Sequence, residues 1–180
     1  LTGHIRLQGP GDTIRAALGK SGGSIGLVAR DGVIPARMAA ILGADVGRAI
    51  TTDKDKLATL RCAVARFDVK DGVARANPFI IDTSRSKMVA RGTVRLSDER
   101  LFLDLHGAPK KDSILRLKGD AHIRGTIEAP VIEVPDAEGT GGVGGAIKAF
   151  AGMTGRWISG KQPPLATDAD CAALAARALR

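Results

Sequence analysis

Aromatic side chains are scarce in this chain, which has four Phe, one Trp and no Tyr in 180 residues. Proteins that hold single-stranded nucleic acid stack bases on aromatic rings, so the scarcity argues against that class. Cysteine is almost as sparse, with Cys62 and Cys171 far apart in sequence. Their spacing fits neither a zinc site nor a Cys-x-x-Cys redox motif. It leaves two readings open: two buried thiols acting as small hydrophobes, or one disulfide tying the tail to the core. No long apolar run is present either. The best candidate, residues 144–158, is too short to span a bilayer and carries Lys148 and Arg156. No secretory signal is visible, and Leu1 stands where Met would begin a whole protein, so the expectation is an excised segment whose missing targeting information says nothing about location. Any permanent membrane anchor is expected upstream of Leu1.

What the chain does carry is positive charge, +8 in formal terms. That balance favours anionic surfaces such as nucleic acid, phospholipid headgroups or lipopolysaccharide. Many of the basic residues alternate with apolar ones along strand-like runs, the pattern of a solvated sheet face. With so few rings, nucleic acid is not expected as a partner.

Period-two alternation dominates the middle of the chain. Met88, Ala90, Gly92, Val94 and Leu96 fall on one face of a strand, opposite Arg91, Thr93 and Arg95. Leu101, Leu103 and Leu105 share a face opposite Phe102, Asp104 and His106. From 115 to 124, Leu115, Leu117, Gly119, Ala121 and Ile123 alternate with Arg116, Lys118, Asp120, His122 and Arg124. Such runs describe antiparallel strands with one apolar and one wet face. Asp71-Gly72 supplies a hairpin turn, because type I′ turns need positive φ at both central residues. About five or six strands are predicted between Leu60 and Val134.

The first fifty residues read differently. A short strand covers His4–Gln8, and a brief helix N-capped by Asp12 runs to Leu18. A strand over Ser24–Arg30 is predicted to close at Asp31-Gly32, with Pro35 opening a helix that bears Met38, Ile41 and Leu42. A second short helix is predicted over 45–50. Beyond Pro135 comes a Gly-rich joint, then a weak helix with Phe150 and Trp157 on one face, then Pro163-Pro164. A short Ala-rich helix over 168–179 ends the chain. The expected organisation is a β-rich domain over 1–136 with short helices inside 12–50, and a hinge with helical tail over 137–180.

Several motifs look like chemistry and fail on context. Gly139-Thr140-Gly141-Gly142-Val143-Gly144 matches G-x-G-x-x-G but leads into Pro163-Pro164 rather than a returning parallel strand. Gly19-Lys20-Ser21 lacks the earlier glycine and following helix of a phosphate loop. His4, His106 and His122 offer no third partner for a metal, though His106 and His122 on adjacent strands could approach each other. No nucleophile elbow is present. No catalytic residue, metal or cofactor is expected.

Leu60-Arg61-Cys62-Ala63-Val64-Ala65, Phe67-Asp68-Val69-Lys70-Asp71-Gly72-Val73, Ile81-Asp82-Thr83 and Ala90-Arg91-Gly92-Thr93-Val94 follow one another in an order that resembles the AsmA family of bacterial envelope proteins. The pattern continues through Leu101–Leu105, Pro109-Lys110, Ile123-Arg124-Gly125-Thr126-Ile127 and Ala129-Pro130, and closes on Asp168-Ala169-Asp170-Cys171-Ala172-Ala173-Leu174. The resemblance implies an inner-membrane anchor, a periplasmic body and a part in outer-membrane biogenesis. It also implies likeness to chorein-type proteins that carry lipids along an open β-groove.

Together, residues and resemblance give an α+β, mainly β fold. A twisted antiparallel meander forms a half-open groove or a folded-over sheet, with a few short helices. Candidate groove residues are Met88, Ala90, Val94, Leu96, Leu101, Leu103, Leu105, Leu115, Leu117, Ala121 and Ile123. The implied partners are phospholipid or another envelope lipid, an anionic membrane surface, and an envelope protein. The alternative function is a docking module that influences outer-membrane protein assembly. The periplasmic placement favours a Cys62–Cys171 disulfide, since that compartment pairs accessible thiols.

Overall fold

A computed structural model describes residues 1–36, 39, 42–43, 56–111, 121–133 and 164–180. Eight strands form one sheet: β1 (Thr2–Gln8), β2 (Gly22–Pro35), β3 (Leu57–Lys70), β4 (Val73–Thr83), β5 (Ser86–Arg95), β6 (Arg100–Pro109), β7 (Ala121–Gly125) and β8 (Pro130–Glu133). Each pairs antiparallel with the next, so order in the sheet is order in the sequence. Two short helices are described over their whole length, α1 (Ile14–Leu18) and α2 (Cys171–Ala178). The fold is therefore the mainly β meander with few short helices that the alternation predicts.

Local chemistry explains the tight hairpins. At the β3–β4 turn, Asp71 and Gly72 have φ of 50° and 71°, the type I′ geometry that follows strand twist. Gly72 also packs where a Cβ would sit 2.3 Å from the Gly19 carbonyl oxygen, so no side chain fits. At the β4–β5 turn the buried Thr83 hydroxyl accepts from the backbone N–H groups of Arg85 and Ser86, at 3.1 and 2.9 Å. That bond closes the turn without glycine. Between β5 and β6, Arg95 Nε donates to Asp98 Oδ1 at 2.7 Å across the turn.

Four boundaries differ from the sequence expectation. Thr13, not Asp12, caps α1, because Thr13 is extended and its Oγ1 accepts from Ala16 N at 3.1 Å. β2 does not stop at Asp31-Gly32. Asp31 takes a positive φ of 56° inside the strand, and pairing resumes at Gly32 and runs to Pro35. Pro35 thus ends a strand instead of opening a helix; Ala36, Ala39 and Leu42 are helical, and Met38 and Ile41 lie outside the described residues. The terminal helix begins at Cys171 and is capped by Asp170, which accepts from Ala173 N at 3.0 Å, since Asp168 is engaged by Lys110 and Arg61. The helix predicted over 45–50, the hinge at 139–144 and the helix after it also lie outside the described residues.

The tail crosses one face of the sheet and is held at every step. Ala166 N donates to Pro109 O at 2.9 Å. Lys110 Nζ lies 2.6 Å from Asp168 Oδ1 and 2.7 Å from Asp82 Oδ1; the second contact is an ion pair without hydrogen-bond alignment. Asp82 is fully buried, and its Oδ2 accepts from Arg61 Nε at 2.8 Å and Ala169 N at 3.2 Å. A buried carboxylate is tolerated because two cations and a backbone donor compensate its lost hydration. Next to it Cys62 and Cys171 are joined, with Sγ atoms 2.02 Å apart and Cα atoms 5.9 Å apart. α2 then packs Ala175 and Ala178 onto Val28, Cys62 and Val64. It comes so close that a Cβ at Gly26 would lie 1.9 Å from the Ala178 carbonyl oxygen.

Two outcomes follow for this clamp. The bridge closes a span of 109 residues, which the chain-entropy account values at about 5 kcal/mol before strain. Replacing both cysteines by Ala should lower unfolding stability by roughly 2–5 kcal/mol in urea titration. Amides of 164–180 should lose exchange protection first.

Acid should loosen the same clamp. The Lys110 hydrogen bond holds the Asp168 carboxyl below the usual aspartate range, and the Asn77 hydrogen bond, with Arg66, does the same for Asp68. Depressed native pKa values mean the unfolded chain takes up protons first. Their contribution is present at neutral pH and is lost as pH falls through about 4 and below. Urea midpoints measured between neutrality and pH ~3 should fall in that window; a flat profile would contradict it.

Candidate functional site: an uncharged sheet face

Directly opposed residues on neighbouring strands share a face, so the register can be read as rows across the sheet. One row runs Gly3, Leu27, Ala65, Phe79, Ala90, Leu105 and Ala121 across seven strands. Beside it lie Ala29, Ala63, Ile81, Met88 and Gly107. On the other side come Ile5, Ile25, Phe67 and Ala76, and further over Leu7, Gly23, Val69, Ala74, Val94 and Leu101. Gly92, Leu103, Ile123 and Ile132 complete the pattern toward β8. None of these rows contains a charged or hydrogen-bonding side chain.

The opposite face mixes charge with one apolar row. Two of its rows read Arg6, Ser24, Asp68, Arg75, Thr93 and Phe102, then Arg91, Asp104, His122 and Glu133, while a third, Thr2, Val28, Val64, Ile80, Val89 and His106, carries the valines on which α2 packs. His122 Nδ1 is 2.7 Å and Arg124 Nη2 is 3.0 Å from Asp104 Oδ1. These bonds, that of His122 foremost, hold the Asp104 carboxyl below its usual range. His122 therefore engages Asp104, and among the described residues no group of three or more His, Cys, Asp and Glu could hold a metal.

Sequence alternation placed Met88, Ala90, Val94, Leu101, Leu103, Leu105, Ala121 and Ile123 together, and the register puts all of them on the uncharged face. Leu96 lies just beyond β5 and packs against Val69, Ala74 and Val94 with Leu101. Leu115 and Leu117 lie outside the described residues. Met88, Ala90, Val94 and Leu103 are buried, whereas Ile5 and Leu27 on the same face are 66% and 40% exposed.

The N-terminal half of this face escaped the sequence reading. Phe67 and Phe79 meet edge-on with centroids 6.0 Å apart, yet neither figured among the candidates. The reason is a bulge in β4. The register jumps between Arg75 and Phe79, so Ala74 and Ala76 share a face with Phe79 and Ile81, and simple alternation flips phase. In β2, the apolar set Ile25, Leu27 and Ala29 did alternate, but glycines at 23 and 26 thinned the signal.

No protein-family model matches the chain, and no solved structure matches it. A curated relative does: the AsmA family protein YhjG of Escherichia coli strain K12 is 30% identical over 132 residues, 72% of this chain. The chain belongs to the AsmA family. It spans only 19% of the length of that relative. Membership supports an envelope-associated role for this AsmA-family chain. Among the described residues no helix is long and apolar enough to cross a membrane.

The face assignment can be checked within one strand. Leu103→Asp should cost more than about 3 kcal/mol or unfold the chain, since it buries an unpaired charge. Phe102→Asp, one residue away on the wet face, should cost no more than about 1 kcal/mol. Equal costs in chemical denaturation would refute the two-faced register.

Proposed function

We propose that this AsmA-family chain is a non-catalytic periplasmic domain whose uncharged sheet face binds the acyl chains of envelope phospholipid, as a stretch of a lipid-carrying β-groove in outer-membrane biogenesis. The observation that carries the reading is the continuity of the uncharged rows across eight strands, with Ile5 and Leu27 left open to solvent. A contiguous exposed apolar surface normally has a binding purpose. Alanine and glycine positions among the larger side chains keep the relief low, which suits a flexible hydrocarbon better than a rigid ligand.

A docking module for an envelope protein is the second reading. The burial of Met88, Ala90, Val94 and Leu103 favours it, because the middle of the face is then already occupied by the chain's own packing.

Lipid extraction separates the two. Protein purified under mild conditions should yield phospholipid on extraction and mass spectrometry. Leu27→Asp combined with Leu105→Asp should remove most of that lipid while the far-ultraviolet spectrum stays that of a folded sheet. Lipid-free wild-type protein would reject the groove and leave the docking module.

A further inference from the structure

The rows free of charge push the charge borne by the ladders onto the opposite face, and there it is unevenly compensated. Asp104 is taken by His122 and Arg124, and Asp82 by Arg61 and Lys110. Around the β4 bulge the balance tips. Asp68 accepts from Arg66 Nε at 3.0 Å and Asn77 Nδ2 at 2.6 Å. Asn77 Oδ1 accepts from Arg177 Nη2 at 2.8 Å, and the Arg177 carbonyl accepts from Arg66 Nη1 at 3.0 Å. Arg75 stands opposite Asp68 and Arg91 opposite Asp104 in register, but both carboxylates are already engaged. Arg75 and Arg91 are exposed and have no ion-pair partner among the described residues.

Arg66 and Arg177 thus already serve Asp68, while Arg75 beside it and Arg91 one strand further add positive charge that no carboxylate takes up. Arg91 is one same-face step along β5 from Thr93, the partner of Arg75, which places the two arginines roughly 8 Å apart by strand spacing. That is inside the screening length of about 10 Å at moderate salt, so their fields add. The Asn77 hydrogen bond first, then Arg66 and Arg177, hold the Asp68 carboxyl below its usual range, so it stays charged and is already served without Arg75 or Arg91. Along the same row lies Phe102, 44% exposed, with the Arg95 guanidinium 5.9 Å from its ring centroid.

We infer that the arginine cluster of Arg66, Arg75, Arg91 and Arg177 docks this face on the anionic phospholipid surface of a membrane. The inference rests on the envelope placement proposed above and is independent of acyl-chain binding. The sites are spread over three strands and the end of α2, which fits a planar array of phosphates rather than one bound ion. Guanidinium matches phosphate oxygens bidentately. One exposed ring among arginines suits insertion at a headgroup boundary, and is too few for base stacking. The basic residues therefore meet the membrane from the side opposite the apolar face, not from its rim.

Co-sedimentation with vesicles tests this. The protein should bind phosphatidylcholine vesicles containing a third phosphatidylglycerol at low salt, release them at high salt, and ignore pure phosphatidylcholine. Arg75→Gln with Arg91→Gln should weaken binding roughly 25-fold, at about fivefold per arginine, with little change in unfolding midpoint. Arg15→Gln with Lys20→Gln makes the same change in net charge beside Ser97 and should leave most binding intact. Equal loss in both double variants would overturn the site in favour of net charge alone. Displacement by inorganic phosphate at matched ionic strength, or tighter binding of an oligonucleotide, would also overturn it. Leu27→Asp with Leu105→Asp should still bind vesicles, so the docking surface and the acyl-chain face fail separately.

Discussion

Backbone hydrogen bonds between antiparallel neighbours fix the register of every strand here, and side chains alternate across the sheet with a period of two. A slip of one residue anywhere would exchange the chemistry of the two faces. The whole molecule depends on that constraint. Gly3 through Ala121 line up as one uncharged row because six consecutive registers agree. The two irregularities in the β3–β4 ladder and the one in β4–β5 are placed so that phase is recovered after each. The bulge at Asn77-Pro78 lets Phe79 and Ile81 rejoin the face that Ala74 and Ala76 already occupy.

Such a sheet has two surfaces to satisfy, and the chain treats them differently. On the charged face, the tail supplies a cover for β2 to β4 through the Cys62–Cys171 bond, the Asp82 network and the close approach of Ala178 to Gly26. α2 is eight residues long and would be marginal alone. Its place is set by the covalent tie and by ion pairs, more than by its own small apolar surface. The tail covers part of one face, while on the uncharged face Met88, Ala90, Val94 and Leu103 are buried and Ile5 and Leu27 are exposed. Docking by arginines would then orient that second surface away from the membrane plane, with the two tasks carried on opposite sides of one sheet.

Family membership and geometry speak to different questions. The relative places the chain among AsmA proteins, and the chain spans 19% of that relative's length. The rows of the sheet supply a chemistry that carries no charge on one side and bears arginines on the other.

The sequence by itself determined the strands, the Asp71-Gly72 hairpin, the face shared by β5, β6 and β7, and the family, because alternation and turn chemistry act over a few neighbouring residues. It narrowed the two cysteines to two readings without choosing between them from spacing. Tertiary structure decided the rest. The run of β2 past Asp31-Gly32 is set by pairing with β3, whose residues lie some thirty positions away. The uncharged face reaches β1 through β4 only once a bulge corrects the phase, and no window of local sequence contains that correction. Asp82 and Lys110 look like ordinary strand charges in the sequence. Burial against the returning tail made them an anchor, because only the folded chain brings residues 61, 82, 110 and 168 to one point.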